Sequence, residues 1–169
     1  MFKKSIEKAL NEQITREIYS SLLYLSMAGY YTNMNLSGFA NWMFIQAKEE
    51  MDHAMKFFNY VLDRGGETKI GTIESPKTSW KSPIAAFEAA YKHEQYITEN
   101  INNLADLAIK EKDHASNNLI QWFITEQVEE EANVDEIVKK MKMMEGFPGG
   151  LIMMDAELKT RVYTPPPVV

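Results

Sequence analysis

Glutamates stand on the apolar stripes of four long helical stretches, at positions where a chain of this pattern needs core residues. They are Glu17, Glu50, Glu94 and Glu130, with His53 one turn after Glu50. A carboxylate buried without a counter-ion costs several kcal/mol. No Lys or Arg shares these stripes, so four converging acids call for cations from outside the chain.

The stripes themselves predict the fold. Over residues 5–33 the helical repeat runs through Ile6, Leu10, Ile14, Ser21, Tyr24, Ala28 and Tyr31, and Asn33 and Asn35 break it. A second helix, about 36–64, carries Phe39, Met43, Gln46, Glu50, His53, Phe57 and Tyr60 on one face, and Gly65-Gly66 caps it. Ser82-Pro83 starts a third, about 83–111, with Phe87, Ala90, Glu94, Ile97, Ile101, Leu104 and Ala108. After a short Lys112-Asp113 turn, a fourth carries Ile120, Phe123, Gln127, Glu130, Val134, Ile137 and Met141. Gly146, Pro148, Gly149 and Gly150 stop it. A fifth helix over about 152–162 and an extended tail over 163–169 complete the chain.

Loop lengths decide the topology. Helices one and two, and three and four, are tight antiparallel pairs. Residues 67–81 have no helical period and contain Pro76, and a connection of that length can span a helix of about 43 Å. The expected fold is all-α: a single domain over 1–169, an antiparallel four-helix bundle over about 5–145 with one long crossover between helices two and three, and a short C-terminal helix.

Composition narrows the function. The chain has 169 residues, a formal charge of -6 and no cysteine. Disulfides, thiolate metal sites and cysteine nucleophiles are therefore excluded, and the acidic balance argues against nucleic acid as a partner. No apolar run approaches a membrane span, and the N-terminus does not read as a secretory signal. A cytoplasmic location is the default expectation.

The four acids lie near the middle of their stripes and reach similar depth. Glu50 and His53 share a face, and Gln127 and Glu130 repeat that spacing. Carboxylates with one imidazole suit iron, manganese or zinc better than calcium or magnesium. Four carboxylates at -4 balance two divalent ions, which points to a dinuclear site. Tyr24 lies two turns past Glu17 on the same stripe and can reach the site with its hydroxyl. Glu49, Glu126 and Glu129 flank the stripe as either a more exposed cation site or solvated acids. His93 is expected at the surface or an interface, His114 in solvent, and Trp122 and Phe123 in packing. Removing Glu50 or His53 is expected to leave the metal-free protein at least as stable, by relieving a buried charge.

These residues resemble the ferritin family, specifically the bacterial non-haem ferritins. The resemblance is carried by Asn11-Glu12-Gln13, Glu17 to Tyr24 (EIYSSLLY), Glu49-Glu50-Met51 with His53, Tyr91 to Gln95 (YKHEQ), and Glu126-Gln127 with Glu129 to Glu131. It implies that Glu17, Glu50 and His53 bind a first iron, and that Glu50 bridges to a second held by Glu94 and Glu130, with Gln127 nearby and Tyr24 hydrogen-bonded near Glu94. It implies a third iron position at Glu49, Glu126 and Glu129. The implied function is ferroxidase activity, oxidising Fe(II) with O2 or H2O2, and iron storage as ferric mineral inside a homo-oligomer of 24 subunits, with the fifth helix around its four-fold axis. Two adjacent irons supply two electrons together, and anionic oxygen ligands favour Fe(III).

Departures from related groups sharpen the expectation. The haem-carrying bacterioferritins place a second Glu-x-x-His on helix four, where this chain has Gln127-x-x-Glu130. Met51 stands where those proteins ligate haem, yet no haem is expected. Rubrerythrins need cysteines that are absent here, and mini-ferritins build their sites between subunits. Two alternatives stay open at this point: a di-iron or di-manganese oxidase without mineral, and a helical bundle whose acids bind ions only structurally.

Overall fold

The computed structural model describes residues 2–147 and 149–165. Its elements are α1 (Lys4–Asn33), α2 (Ser37–Asp63), α3 (Pro83–Lys110), α4 (His114–Met143) and α5 (Gly150–Leu158). Among the described residues there is no strand, and no helix is long and apolar enough to cross a membrane.

Sequence-level stops coincide with helix ends for stereochemical reasons. Gly65 adopts φ 70°. Its N–H bonds to Leu62 O at 2.8 Å and that of Gly66 to Val61 O at 2.9 Å, a Schellman cap that needs a left-handed residue. Asn35 and Lys112, at φ 58° and 55°, serve the same geometry after α1 and α3. Ser82 caps α3, accepting from the Ala85 N–H at 3.2 Å with Pro83 in the first turn. Asp113 caps α4 through Ser116 N–H at 3.1 Å and takes a two-pronged Arg64 at 3.1 and 3.0 Å. That pair fastens the end of α2 to the start of α4.

The crossover between α2 and α3 is laid along α1 by a ladder of polar contacts. Asn11 Nδ2 donates to Glu67 O at 2.8 Å, Gly71 N–H to Thr15 Oγ1 at 2.9 Å, and Ser26 Oγ to Lys77 O at 2.7 Å. Tyr31 closes the ladder at Pro83 O, 2.6 Å. The connection therefore travels the full length of α1, and α3 runs back parallel to α2. The resulting core has two apolar clusters. One contains Tyr31, Phe39 and Phe87, the other Phe57, Ile101 and Phe123. The polar layer that separates them holds Glu17, Glu50, Glu94 and Glu130.

The fifth helix differs from expectation. It occupies Gly150–Leu158 rather than 152–162, so Gly150 opens it instead of ending the preceding segment. Residues 161–165 are already non-helical. Pro148 and residues 166–169 of the expected tail lie outside the described residues. Helix α5 packs on the start of α2, where Asp155 Oδ1 accepts from Gly38 and Phe39 N–H at 2.7 and 3.1 Å. It supplies from a distance the N-terminal cap that Leu36 cannot.

A Cβ on Gly38 would lie 1.7 Å from the Asp155 carbonyl oxygen. Gly38→Ala must push α5 away and forfeit this cap. Thermal unfolding should show a loss of about 2 kcal/mol or more. An unchanged melting temperature would refute the docking described.

Candidate metal centre

Every residue of the four predicted stripes is buried except Tyr60, which is partly exposed. Glu17, Glu50, Glu94 and Glu130 are 1%, 1%, 0% and 4% exposed, which excludes a solvated acidic face. Two groups bring ligand atoms within 4.8 Å of one another: Glu17, Glu50 and His53, and His53, Glu126 and Glu130. His53 Nδ1 lies 3.7 Å from Glu50 Oε2, and its Nε2 lies 3.9 Å from Glu126 Oε1.

Neutral amides hold the carboxylates in place. Gln13 Nε2 donates to Glu17 Oε1 at 2.7 Å. Gln46 Nε2 donates to Glu50 Oε1 at 3.0 Å and to Glu130 Oε2 at 2.7 Å, tying α2 to α4. Gln127 Nε2 reaches Glu94 Oε2 at 3.2 Å, and Tyr24 donates its hydroxyl proton to Glu94 Oε1. These donors orient the acids without neutralising them. Glu17 Oε2 is buried with no hydrogen-bond partner. An orphaned carboxylate oxygen beside Glu50 and His53 fits a cation binding there.

The protons in the apo site follow from burial. Burial pushes the Glu17 carboxyl up to about 8, with the Glu50 charge adding to it. Glu94 is likewise lifted by burial and by Glu50, to about 8, and Glu130 is driven well up by burial, Glu50 and Glu94. Burial also pushes Glu50 up, but the His53 imidazolium and the Gln46 amide outweigh it and hold Glu50 below its ordinary value. For His53, burial acts downward, yet Glu50, Glu17 and Glu130 lift it to about 10. At neutral pH the apo site is thus centred on one ion pair, Glu50 with His53, with Glu17 and Glu94 largely protonated and Glu130 biased the same way. The -4 charge belongs to the metal-bound state alone. Because Glu50 is paired with His53 in the apo site, Glu50→Ala relieves less repulsion than the removal of Glu17 does.

The flanking acids are not gathered as a group. Glu49 is partly buried and paired with Arg161, Glu126 faces His53, and Glu129 is exposed. His93, expected at the surface or an interface, is partly exposed, with its Nε2 2.7 Å from Ser20 Oγ between α1 and α3. Burial lowers its pKa, so it is a neutral packing group. His114 is exposed as expected. Trp122 is 39% exposed, with the Lys56 ammonium 3.8 Å from its ring centroid. Met51 is exposed.

Reading the sequence alone missed Arg161, named Gln13 only within the family motif and saw Gln46 only as a stripe position. Gln13 lies four residues before Glu17 and Gln46 four before Glu50. That shared i, i+4 spacing was the available signal. Arg161 had none, because its contact depends on how the tail folds back.

Comparison with known proteins converges on one group. Residues 7–144 match the family described as the ferritin-like domain. A bacterial non-heme ferritin of Bacteroides fragilis is 39% identical over 161 residues, covering 95% of this chain and all of that protein. One from Campylobacter jejuni is 37% identical, covering 94% and 95%. Among solved structures, an open pore ferritin from the hyperthermophilic archaeon Archaeoglobus fulgidus superposes with a TM-score of 0.95. It is 45% identical, with 96% of this chain and 100% of that one covered. A humanized archaeal ferritin gives a TM-score of 0.96 at 45% identity, with 98% and 100% covered.

Groups whose folded pKa is raised stabilise the fold below the unfolded value and lose that contribution as pH climbs through the folded one. For Glu17 and Glu94 the loss runs from about 4.5 to about 8, and for His53 from about 6.5 to about 10. The melting temperature of the apo protein should fall by several degrees between about pH 6 and pH 9. Glu17→Gln should flatten part of that fall and raise the value at the alkaline end. A pH-independent apo melting temperature would contradict the assignment.

Proposed function

The chain belongs to the ferritin-like family, and on that premise we propose that it stores iron and oxidises it at the buried carboxylate cluster. The observation that carries the reading is the set of four acids, one from each bundle helix, at 4% exposure or less, with no Lys or Arg hydrogen-bonded to them among the described residues. Glu17, Glu50 and His53 would take one Fe(II). Glu50 would share the second with Glu94 and Glu130, near Gln127. Iron is the substrate here, and entry of two ions exchanges the site's protons for metal charge.

The chain's own groups suit that turnover. Gln13, Gln46 and Gln127 keep the acids oriented as their protons leave. Tyr24 donates to Glu94 and is adjacent to any electron transfer at the pair. Two Fe(II) ions together surrender two electrons, and O2 with two protons accepts them as H2O2. The acids that lose protons on iron binding make them available locally. Carboxylate ligation stabilises Fe(III) over Fe(II).

The further expectations are a cytoplasmic homo-oligomer of 24 subunits that encloses the mineral, with O2 or H2O2 as oxidant and no haem. Helix α5 exposes Ile152 and Met153 at 71% and 58%, an apolar surface suited to meeting other copies.

Anaerobic titration should saturate at about two Fe(II) per subunit, with any weaker binding separate. Admission of oxygen should give a fast ferric phase, followed by slow loading of hundreds of irons per assembly. Glu94→Ala should slow the fast phase by about 100-fold or more, since even supporting residues of metal sites are worth 10–100-fold. Two tightly held irons without further loading would overturn storage and leave a discrete di-iron oxidase. Absence of the fast phase would overturn the ferroxidase assignment.

A further inference from the structure

The segment after α5 returns along the outer face of α2 and reaches the metal centre. Asn41 Nδ2 donates to Arg161 O at 3.0 Å, and the Arg161 guanidinium lies 4.3 Å from the Trp42 ring centroid. Two residues on, the Tyr163 hydroxyl donates to Asp52 Oδ2 at 2.6 Å. Between these anchors the guanidinium turns inward. Its Nη1 donates to Gln46 Oε1 at 2.9 Å, and its Nη2 pairs with Glu49.

Each contact has a consequence for the site. By taking the Gln46 carbonyl oxygen, Arg161 fixes which way the amide faces and turns its NH2 group to Glu50 and Glu130. By taking Glu49, it supplies a positive charge beside the second acidic group. Glu49 is accordingly absent from both sets of converging ligand atoms, whereas Glu126 and Glu130 share one with His53. A guanidinium suits this double task because its planar fork can serve an amide and a carboxylate at once.

We propose that the Arg161 guanidinium is a built-in counter-cation at Glu49, and that a metal ion gains Glu49 as a ligand only by displacing it. The inference rests on the carboxylate cluster being a metal site, as above. Its content is a gate: the outer position is weak while the strap is closed and strengthens when Arg161 is withdrawn. Displacement also releases Gln46 Oε1, so filling the outer position loosens the amide that bridges Glu50 and Glu130.

Zn(II), which cannot be oxidised, is the probe. Calorimetric titration of the assembled protein should show two strong sites per subunit and a much weaker third. Arg161→Ala should tighten the third by about tenfold or more, a typical coupling between sites, and adding Glu49→Gln to that variant should abolish the gain. Arg161→Lys retains the charge without the fork and should fall between, and it stands in if the alanine variant does not assemble. A third site equally weak with and without Arg161, or a gain indifferent to Glu49→Gln, would overturn the proposal. Failure of the two strong sites would instead defeat the metal-centre reading itself.

Discussion

The fold is organised around a layer of acids that it cannot neutralise from within. Four carboxylates enter the centre of the bundle, and among the described residues His53 is the cationic group that meets them. The chain accommodates the deficit by holding protons on Glu17, Glu94 and Glu130, each raised by burial. It also lays glutamine donors against one oxygen of each acid and leaves Glu17 Oε2 without a partner. Protonated acids are a provisional arrangement, because a divalent ion offers more charge at the same position. The same burial that makes the apo layer unfavourable makes cation binding favourable.

The surrounding architecture keeps that layer from collapsing. Apolar clusters above and below it, with Phe39 and Phe87 on one side and Phe57 stacked on Phe123 at 3.8 Å on the other, carry the packing. The crossover bound along α1 and the Arg64–Asp113 pair hold the helices in register. The acids are thus positioned by groups that have no need of metal. Such a scaffold can load and release iron without refolding.

Much of this was legible in the sequence because both fold and site depend on helical periodicity. The stripe residues are the observed core, and Gly65, Ser82-Pro83 and the Lys112-Asp113 turn fall at helix ends for the stereochemical reasons expected. The long connection before Pro83 determined the crossover. Periodicity says nothing about segments that lack it. The boundary of α5 was misplaced because Gly150, read as a stop, starts the helix. Arg161 was invisible because its neighbours, Trp42, Gln46 and Glu49, are more than a hundred residues away in the chain. His93 was expected at the surface or an interface from its angle on α3, and it is partly exposed. The contact with Ser20 of α1 depends on how closely the two helices approach.

The central claim is that the apo site stores protons where metal charge belongs. The most direct test is proton release on anaerobic binding of Zn(II) or Fe(II), from calorimetry in buffers of different ionisation enthalpy. With Glu17, Glu94 and His53 protonated beforehand and Glu130 biased the same way, filling both positions at about pH 7 should release about two or more protons per subunit, fewer as pH rises toward 10. Binding with no proton release at neutral pH would mean that the acids are already ionised, and would contradict this account of the buried layer.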